Sequence, residues 1–134
     1  MYGIKIIIAF VIGFTIAQLV KMIVAVVRGE KNLISYLTKS GGMPSGHAAS
    51  FVGATTVIGL GEGFTSSLFA LAVCMAVIVL YDAVNVRYAV GEQGKELNKI
   101  IKKPLNVVEG HTVAEICVGC VLGVVVGVLV WAIF

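Results

Sequence analysis

Long apolar runs alternate with polar ones along this chain, and the apolar runs have the lengths of membrane helices. Ile4 to Val27 is the first, interrupted near its far end by Gln18 and Lys21. At 1.5 Å per residue it makes a helix of about 36 Å, enough to cross a hydrocarbon layer with some tilt. Ala48 to Leu60 is the second. Its length of about 20 Å is short for a crossing, so the pattern predicts either a short span or a re-entrant element. Gly61-Glu62-Gly63 turns the chain, and a third helix is predicted from Ser66 to about Val86, with Asp82, Asn85 and Arg87 at its end. Thr112 to Phe134 is the last apolar helix. The polar connections are Arg28 to Met43 and Gly91 to Gly110. Within the second, Lys95 to Lys103 reads as an amphipathic helix lying on a lipid surface and stopped at Pro104.

Composition turns this pattern into a class. Of 134 residues 59% are hydrophobic and 13% charged, about half the charged share of an ordinary soluble domain. The expectation is an all-α, polytopic membrane helix bundle of about four apolar helices, the second short or re-entrant, forming one membrane-embedded domain over residues 1–134. If all four runs cross, both polar connections share one side and the chain ends the other. Lys31, Lys39, Lys95, Lys99, Lys102 and Lys103 then oppose Lys5 alone, and the positive-inside rule directs the polar connections to the cytoplasmic side of the cell membrane. The 95 to 103 lysines are accounted for by attraction to anionic headgroups. Nucleic acid is not an expected partner.

Small residues add a packing surface. Gly119, Gly123 and Gly127 recur every fourth position in the last helix, a groove that lets backbones approach closely in lipid. Its expected partner is another helix of the chain or a second copy, which would make a homodimer. Cys74, Cys117 and Cys120 all lie in apolar segments; Cys117 and Cys120 form a C-x-x-C, but without a second pair or a histidine at zinc-finger spacing they read as buried, inert thiols.

Ionisable groups at membrane depth are costly and mark function. Lys21, Arg28, Ser45, His47, Asp82, Arg87, His111 and Glu115 make up that set, and both histidines of the chain open apolar helices. His111 and Glu115 stack on one face a turn apart. The carboxylate could accept the Nδ1 proton and leave Nε2 free as a nucleophile; taken alone, the spacing fits a helix cap equally well. The turn Gly41-Gly42-Met43-Pro44-Ser45-Gly46-His47 alters that balance. Ser45 and Gly46 offer a hydroxyl and N–H groups at a helix start, an environment for an anion such as phosphate. His47 stands beside it as a proton donor. Lys21, Arg28 and Arg87 can hold the remaining phosphate oxygens, and Asp82 can pair with Lys21 or Arg87 to position them.

Together these parts resemble the signature of the type-2 phosphatidic acid phosphatase superfamily, which shares its fold and phosphate site with vanadium-dependent haloperoxidases. That signature runs Lys-x6-Arg-Pro, then Pro-Ser-Gly-His, then Ser-Arg-x5-His-x3-Asp. Lys21-x6-Arg28 matches the first part without its proline, and Pro44-Ser45-Gly46-His47 matches the second in full. The third is split: residues 88–110 separate Arg87 from His111, Asn85-Val86 replaces the serine, and Glu115 stands for the aspartate. Asp82-Ala83-Val84-Asn85-Val86-Arg87 and Gly110-His111-Thr112-Val113-Ala114-Glu115 are similar to a divergent branch of small membrane proteins in that superfamily.

The resemblance implies a lipid phosphate phosphatase that needs no metal or cofactor. In it His111 attacks phosphorus, Glu115 orients it, and His47 protonates the leaving alkoxide. Lys21, Arg28, Arg87, Ser45 and Gly46 bind the phosphate, supported by Asp82. The implied substrate is a phosphomonoester or pyrophosphate of a membrane lipid. The alternative is a non-catalytic lipid-phosphate binding protein or flippase, which the split third motif keeps open. Haloperoxidase-like oxidation, which would need bound vanadate, is not expected.

Overall fold

The computed structural model describes residues 2–29, 41–103, 105 and 107–134. Lys31, Lys39 and Pro104 lie outside the described residues. The elements are α1 (Tyr2–Val27), α2 (Gly46–Glu62), α3 (Ser67–Tyr81), a single π-helical turn (Asp82–Val86), α4 (Arg87–Ile100) and α5 (Val113–Ile133). Among the described residues three helices are long and apolar enough to cross a membrane: Tyr2–Val27, the continuous Ser67–Ile100, and Val113–Ile133. The architecture is the expected all-α membrane bundle.

Helix α2 is the fourth apolar helix, and it packs along α1 from the level of Phe14 to that of Tyr2. Near its start, the Cα of Gly46 lies against the Phe14 ring of α1. At its end, the Tyr2 hydroxyl donates to the carbonyls of Val57 and Ile58 at 3.2 and 3.1 Å. It is therefore antiparallel to α1 throughout, with no re-entrant bend. Its 17 residues give about 26 Å, and it tolerates Ser50, Thr55 and Thr56 because each hydroxyl donates to the carbonyl one turn earlier.

Small residues make this arrangement, since lipid supplies little hydrophobic force between helices and stability comes from close packing. The inner face of α1 carries Ala9, Gly13, Ala17, Lys21 and Ala25, all buried. A Cβ on Gly13 would sit 2.6 Å from the Ala49 carbonyl oxygen, and one on Gly123 would sit 2.8 Å from the same atom. Backbones of α1, α2 and α5 thus meet around Ala49. Gly119 and Gly127 press equally closely on Ser45, Ala48, Gly53 and Thr56. The glycine stripe is filled by α2 of the same chain, so self-association through Gly119, Gly123 and Gly127 has no free surface to use. Beyond the crossing, Ala9, Val57, Val126 and Val130 form a core cluster at the end where Tyr2 stacks edge-on with Trp131 and Lys5 lies 4.4 Å over that indole.

The largest departure from expectation concerns residues 87–100. Instead of a separate amphipathic helix over 95–103, α4 continues α3 through the π turn and ends at Ile100. The hydrogen-bond ladder is unbroken at the junction, where the Arg87 N–H donates to the Asp82 carbonyl, and no proline interrupts it. The combined 34 residues span about 51 Å, well beyond a hydrocarbon layer of about 30 Å, so α4 projects past the bundle. Gly91 and Gly94 face the returning chain: a Cβ at Gly91 would lie 3.3 Å from Glu109 Cα, and one at Gly94 3.0 Å from the Val107 side chain. Asn98 clasps Leu105 with two hydrogen bonds, of 2.7 and 3.0 Å.

Gly123→Ala should destabilise the bundle by about 1–3 kcal/mol through overpacking against the α2 backbone. Thermal unfolding in detergent would show a lowered midpoint, whereas Gly3→Ala, whose Cβ would meet nothing within 4 Å, should leave it unchanged.

Candidate functional site

The site lies at the end of the bundle where α1 finishes and α2 and α5 begin. Each helix start is capped by its own sequence. Ser45 caps α2 by accepting from the Ala48 N–H at 3.4 Å. Thr112 and Glu115 form a reciprocal capping box on α5: the Glu115 N–H donates to Thr112 Oγ1 at 3.3 Å and the Thr112 N–H donates to Glu115 Oε2 at 3.1 Å. The Thr112-x-x-Glu115 spacing was the sequence signal for that box.

The same carboxylate oxygen lies 3.1 Å from His111 Nδ1. Capping and orientation of the imidazole are therefore one structure rather than alternatives. Glu115 also joins two helices, because its carbonyl accepts from the Ser45 N–H at 3.1 Å. His111 is 1% exposed, and its Nε2 is buried with no hydrogen-bond partner among the described residues. Burial pushes this imidazole below the usual histidine range, partly offset by the hydrogen bond to Glu115, and Lys21 and His47 push the same way as burial. The ring of His47 lies 6.3 Å from that of His111, centroid to centroid.

The long third segment closes on the same place. Gly110 packs onto the start of α4 so tightly that a Cβ there would lie 2.3 Å from the Tyr88 nitrogen, and the His111 N–H donates to the Ala83 carbonyl of the π turn at 3.0 Å. A π turn loosens the local ladder, here in a helix whose Ala83 carbonyl serves an incoming loop. It also brings residues five apart onto one face. Arg87 Nε meets Asp82 Oδ2 at 2.7 Å, and Asp82 pairs with Arg87 rather than Lys21. Residues 88–110 are thus an excursion out along α4 and back, returning His111 to the level of Arg87.

Lys21 is 3% exposed and has no ion pair among the described residues; Glu115 acts on it from beyond contact distance. His47 lies within the electrostatic reach of Lys21, Arg87 and Asp82. The structure so brings together Lys21, His47, Asp82, Arg87, His111 and Glu115. Ser45 is buried with its N–H committed to Glu115 and its Oγ to the cap. Of the first four N–H groups of α2, which lack intrahelical acceptors, those of Gly46 and His47 remain for a ligand. Arg28 stands apart, exposed just beyond α1, lining an apolar crevice of about 420 Å³ that Glu115 also borders. Among the described residues no three His, Cys, Asp or Glu side chains converge as a metal site would require.

Sequence comparison is consistent with this geometry. Residues 3–126 match the Divergent PAP2 family. The chain belongs to the Divergent PAP2 family. A relative, the "Uncharacterized membrane protein YuiD" of Bacillus subtilis (strain 168), is 39% identical over 85 residues, covering 63% of this chain and 54% of that protein. The chain thus matches about half the length of that curated relative. No solved structure matches. The match spans the elements that carry Lys21, Pro44-Ser45-Gly46-His47, Arg87 and His111, and the fold brings those elements to one end of the bundle.

His111 enclosure can be measured with diethyl pyrocarbonate. In the wild type, half-buried His47 should be modified first and His111 slowly. Gly110→Ala, which forces the loop off the π turn, should raise His111 modification to a rate comparable with His47 by mass spectrometry; equal rates in the wild type would contradict the enclosure.

Proposed function

We propose that the protein is a metal-independent phosphatase acting on the phosphomonoester or pyrophosphate of a membrane lipid, through a phosphohistidine at His111. The observation that carries this reading is His111 itself: Nδ1 held by Glu115, Nε2 buried beside His47 with no hydrogen-bond partner among the described residues. A buried polar atom without a partner is costly, as is a buried ammonium without a counter-ion. An anion between Lys21 and His111 would relieve both.

In the proposed reaction the His111 Nε2 lone pair attacks phosphorus while the bond to the lipid oxygen breaks. His47 gives its proton to that oxygen, and Glu115 balances the charge on the phosphorylated ring. Water, deprotonated by His47, then breaks the N–P bond and releases phosphate. Lys21, Arg87 and the N–H groups of Gly46 and His47 stabilise the equatorial oxygens, where most catalysis of phosphoryl transfer lies. Asp82 keeps the guanidinium in place. A lipid rather than a soluble substrate is supported by the crevice between α1 and α5, whose apolar walls include Val20, Val24, Val118 and Leu122, with Arg28 and Glu115 at its border.

Lys95, Lys99, Lys102 and Lys103 belong to the excursion at the site end and Lys5 to the other, so the positive-inside rule supports a cytoplasmic site. A cysteine replacing Lys102 should be labelled by an impermeant maleimide only after intact cells are permeabilised; labelling from outside would reverse the orientation.

Purified protein should release phosphate from a lipid phosphate panel in the presence of chelator and be inhibited by vanadate. His111→Ala should abolish release, and His47→Ala should slow it by about 10²–10⁴-fold, the range of general acid–base catalysis. Neutral His111 is the nucleophile and its burial favours that form, so the acid limb of the rate profile should fall on the acid side of 6.5. Glu115→Gln removes the carboxylate that opposes this shift and should move the limb further down. Binding of lipid phosphates without release would favour a non-catalytic binding protein or flippase instead.

A further inference from the structure

Two buried side-chain atoms lack a hydrogen-bond partner among the described residues: His111 Nε2 and Gln18 Oε1. The phosphate chemistry accounts for the first. Nothing so far uses the second, although an amide oxygen buried without a donor in a membrane helix is costly.

Its position is fixed by the packing of α1 on α2. Phe10 meets Phe51 edge-on at 5.3 Å, and a turn further along α1 the Phe14 ring covers Gly46. These contacts align the stripe of Phe10, Phe14 and Gln18 on α1 with the stripe of Phe51 and His47 on α2, because residues four apart share a helix face. The helices are antiparallel, so Gln18 comes one turn beyond Phe14 and His47 one turn before Phe51. Both lie at the site end. Side chains lean toward the amino end of their own helix, which carries Gln18 and His47 toward each other's level. Lys21 lies on the same side of α1, about 60° around the helix from Gln18. His47 itself has no hydrogen bond to either ring nitrogen among the described residues; its recorded contact is the ring of His111.

We propose that Gln18 is a positioning residue for His47, its Oε1 accepting one imidazole N–H as the site closes on substrate and so presenting the other nitrogen to the leaving group. Hydrogen bonds of this kind are often loose in an unliganded site and tighten with the ligand, and a second partner is what fixes a histidine's tautomer. An acceptor is needed at this point because the charges facing His47 are mixed. Lys21 from α1, Arg87 and Asp82 from the long helix and His111 from the loop before α5 all act on it, and none is hydrogen-bonded to its ring. The proposal rests on the reading of His47 as acid and base, but its test does not need turnover.

The chain has two histidines, so imidazole ¹⁵N resonances in lipid nanodiscs are assigned by one His111→Gln variant. With bound orthovanadate occupying the site, neutral His47 should be a single tautomer in the wild type. Gln18→Leu should give a tautomer mixture and a lower titration midpoint. Gln18→Glu, which keeps the acceptor and adds charge, should keep one tautomer and raise the midpoint by about one to three units, the range for an adjacent opposite charge. An unchanged tautomer ratio and midpoint in Gln18→Leu would overturn the proposal, as would loss of phosphate release in that variant with His47 titrating as before. If no lipid phosphate is hydrolysed by the wild type and the His47 shifts still occur, the pairing stands and the hydrolase reading falls.

Discussion

One oxygen of Glu115 holds the site together. It accepts the N–H of Thr112, closing the cap of α5, and lies within hydrogen-bond distance of His111 Nδ1. The backbone of the same residue accepts the N–H of Ser45, which fixes where α2 begins. In a membrane, free N–H groups at a helix start have little water to turn to. Orientation of the imidazole therefore comes with the satisfaction of backbone groups that the fold requires in any case. A side-chain substitution at Glu115 acts on the helix cap and the histidine together, while the backbone link to Ser45 stays available.

Close backbone packing lets that link form. Around Ala49 the chain of α2 is approached by Gly13 from α1 and by Gly123 from α5 at distances where no Cβ fits. Dispersion attraction falls steeply with separation, so in lipid these near contacts stand in for the hydrophobic effect that would drive association in water. They also set the register. With α1, α2 and α5 locked at this crossing, Lys21, His47 and Glu115 arrive at one level at one end, while Tyr2, Val57 and Trp131 arrive at the other. The buried amide of Gln18 falls within the same register, which is why its orphaned oxygen can be read against His47.

The third part of the site reaches the same level by a different device. A continuous helix of 34 residues carries the chain past the bundle and the returning segment brings it back. The π turn is where the two meet: it aligns Asp82 with Arg87 and its Ala83 carbonyl receives the His111 N–H. The long interval between Arg87 and His111 is spent on a hairpin-like excursion held by Asn98 and Leu105, by Gly91 and Glu109, and by Gly94 and Val107. A split motif need not mean a split site.

Much of this was legible in the residues. Apolar run length marked the crossings, because a hydrocarbon layer imposes a fixed length, and rare polar residues within or beside those runs marked the site, because burying them without a reason is unfavourable. Four-residue glycine spacing announced close packing, but not its partner, since a glycine groove fits a helix of the same chain as well as one from a second copy. The sequence pattern also separates residues 87–100 from the third helix: the polar, charged run from Gly91 looks like a connection until α4 is seen to continue α3 and the returning chain is seen against Gly91 and Gly94. Whether α2 crosses or bends back and whether His111 closes on His47 depended on contacts between segments far apart in the chain, and whether Asp82 pairs with Lys21 or Arg87 depended on the π turn. Local patterns carry helix length, caps and chemical type because those are set within a turn or two. Register between helices is set by which backbones can touch, and that was decided only when the bundle was assembled.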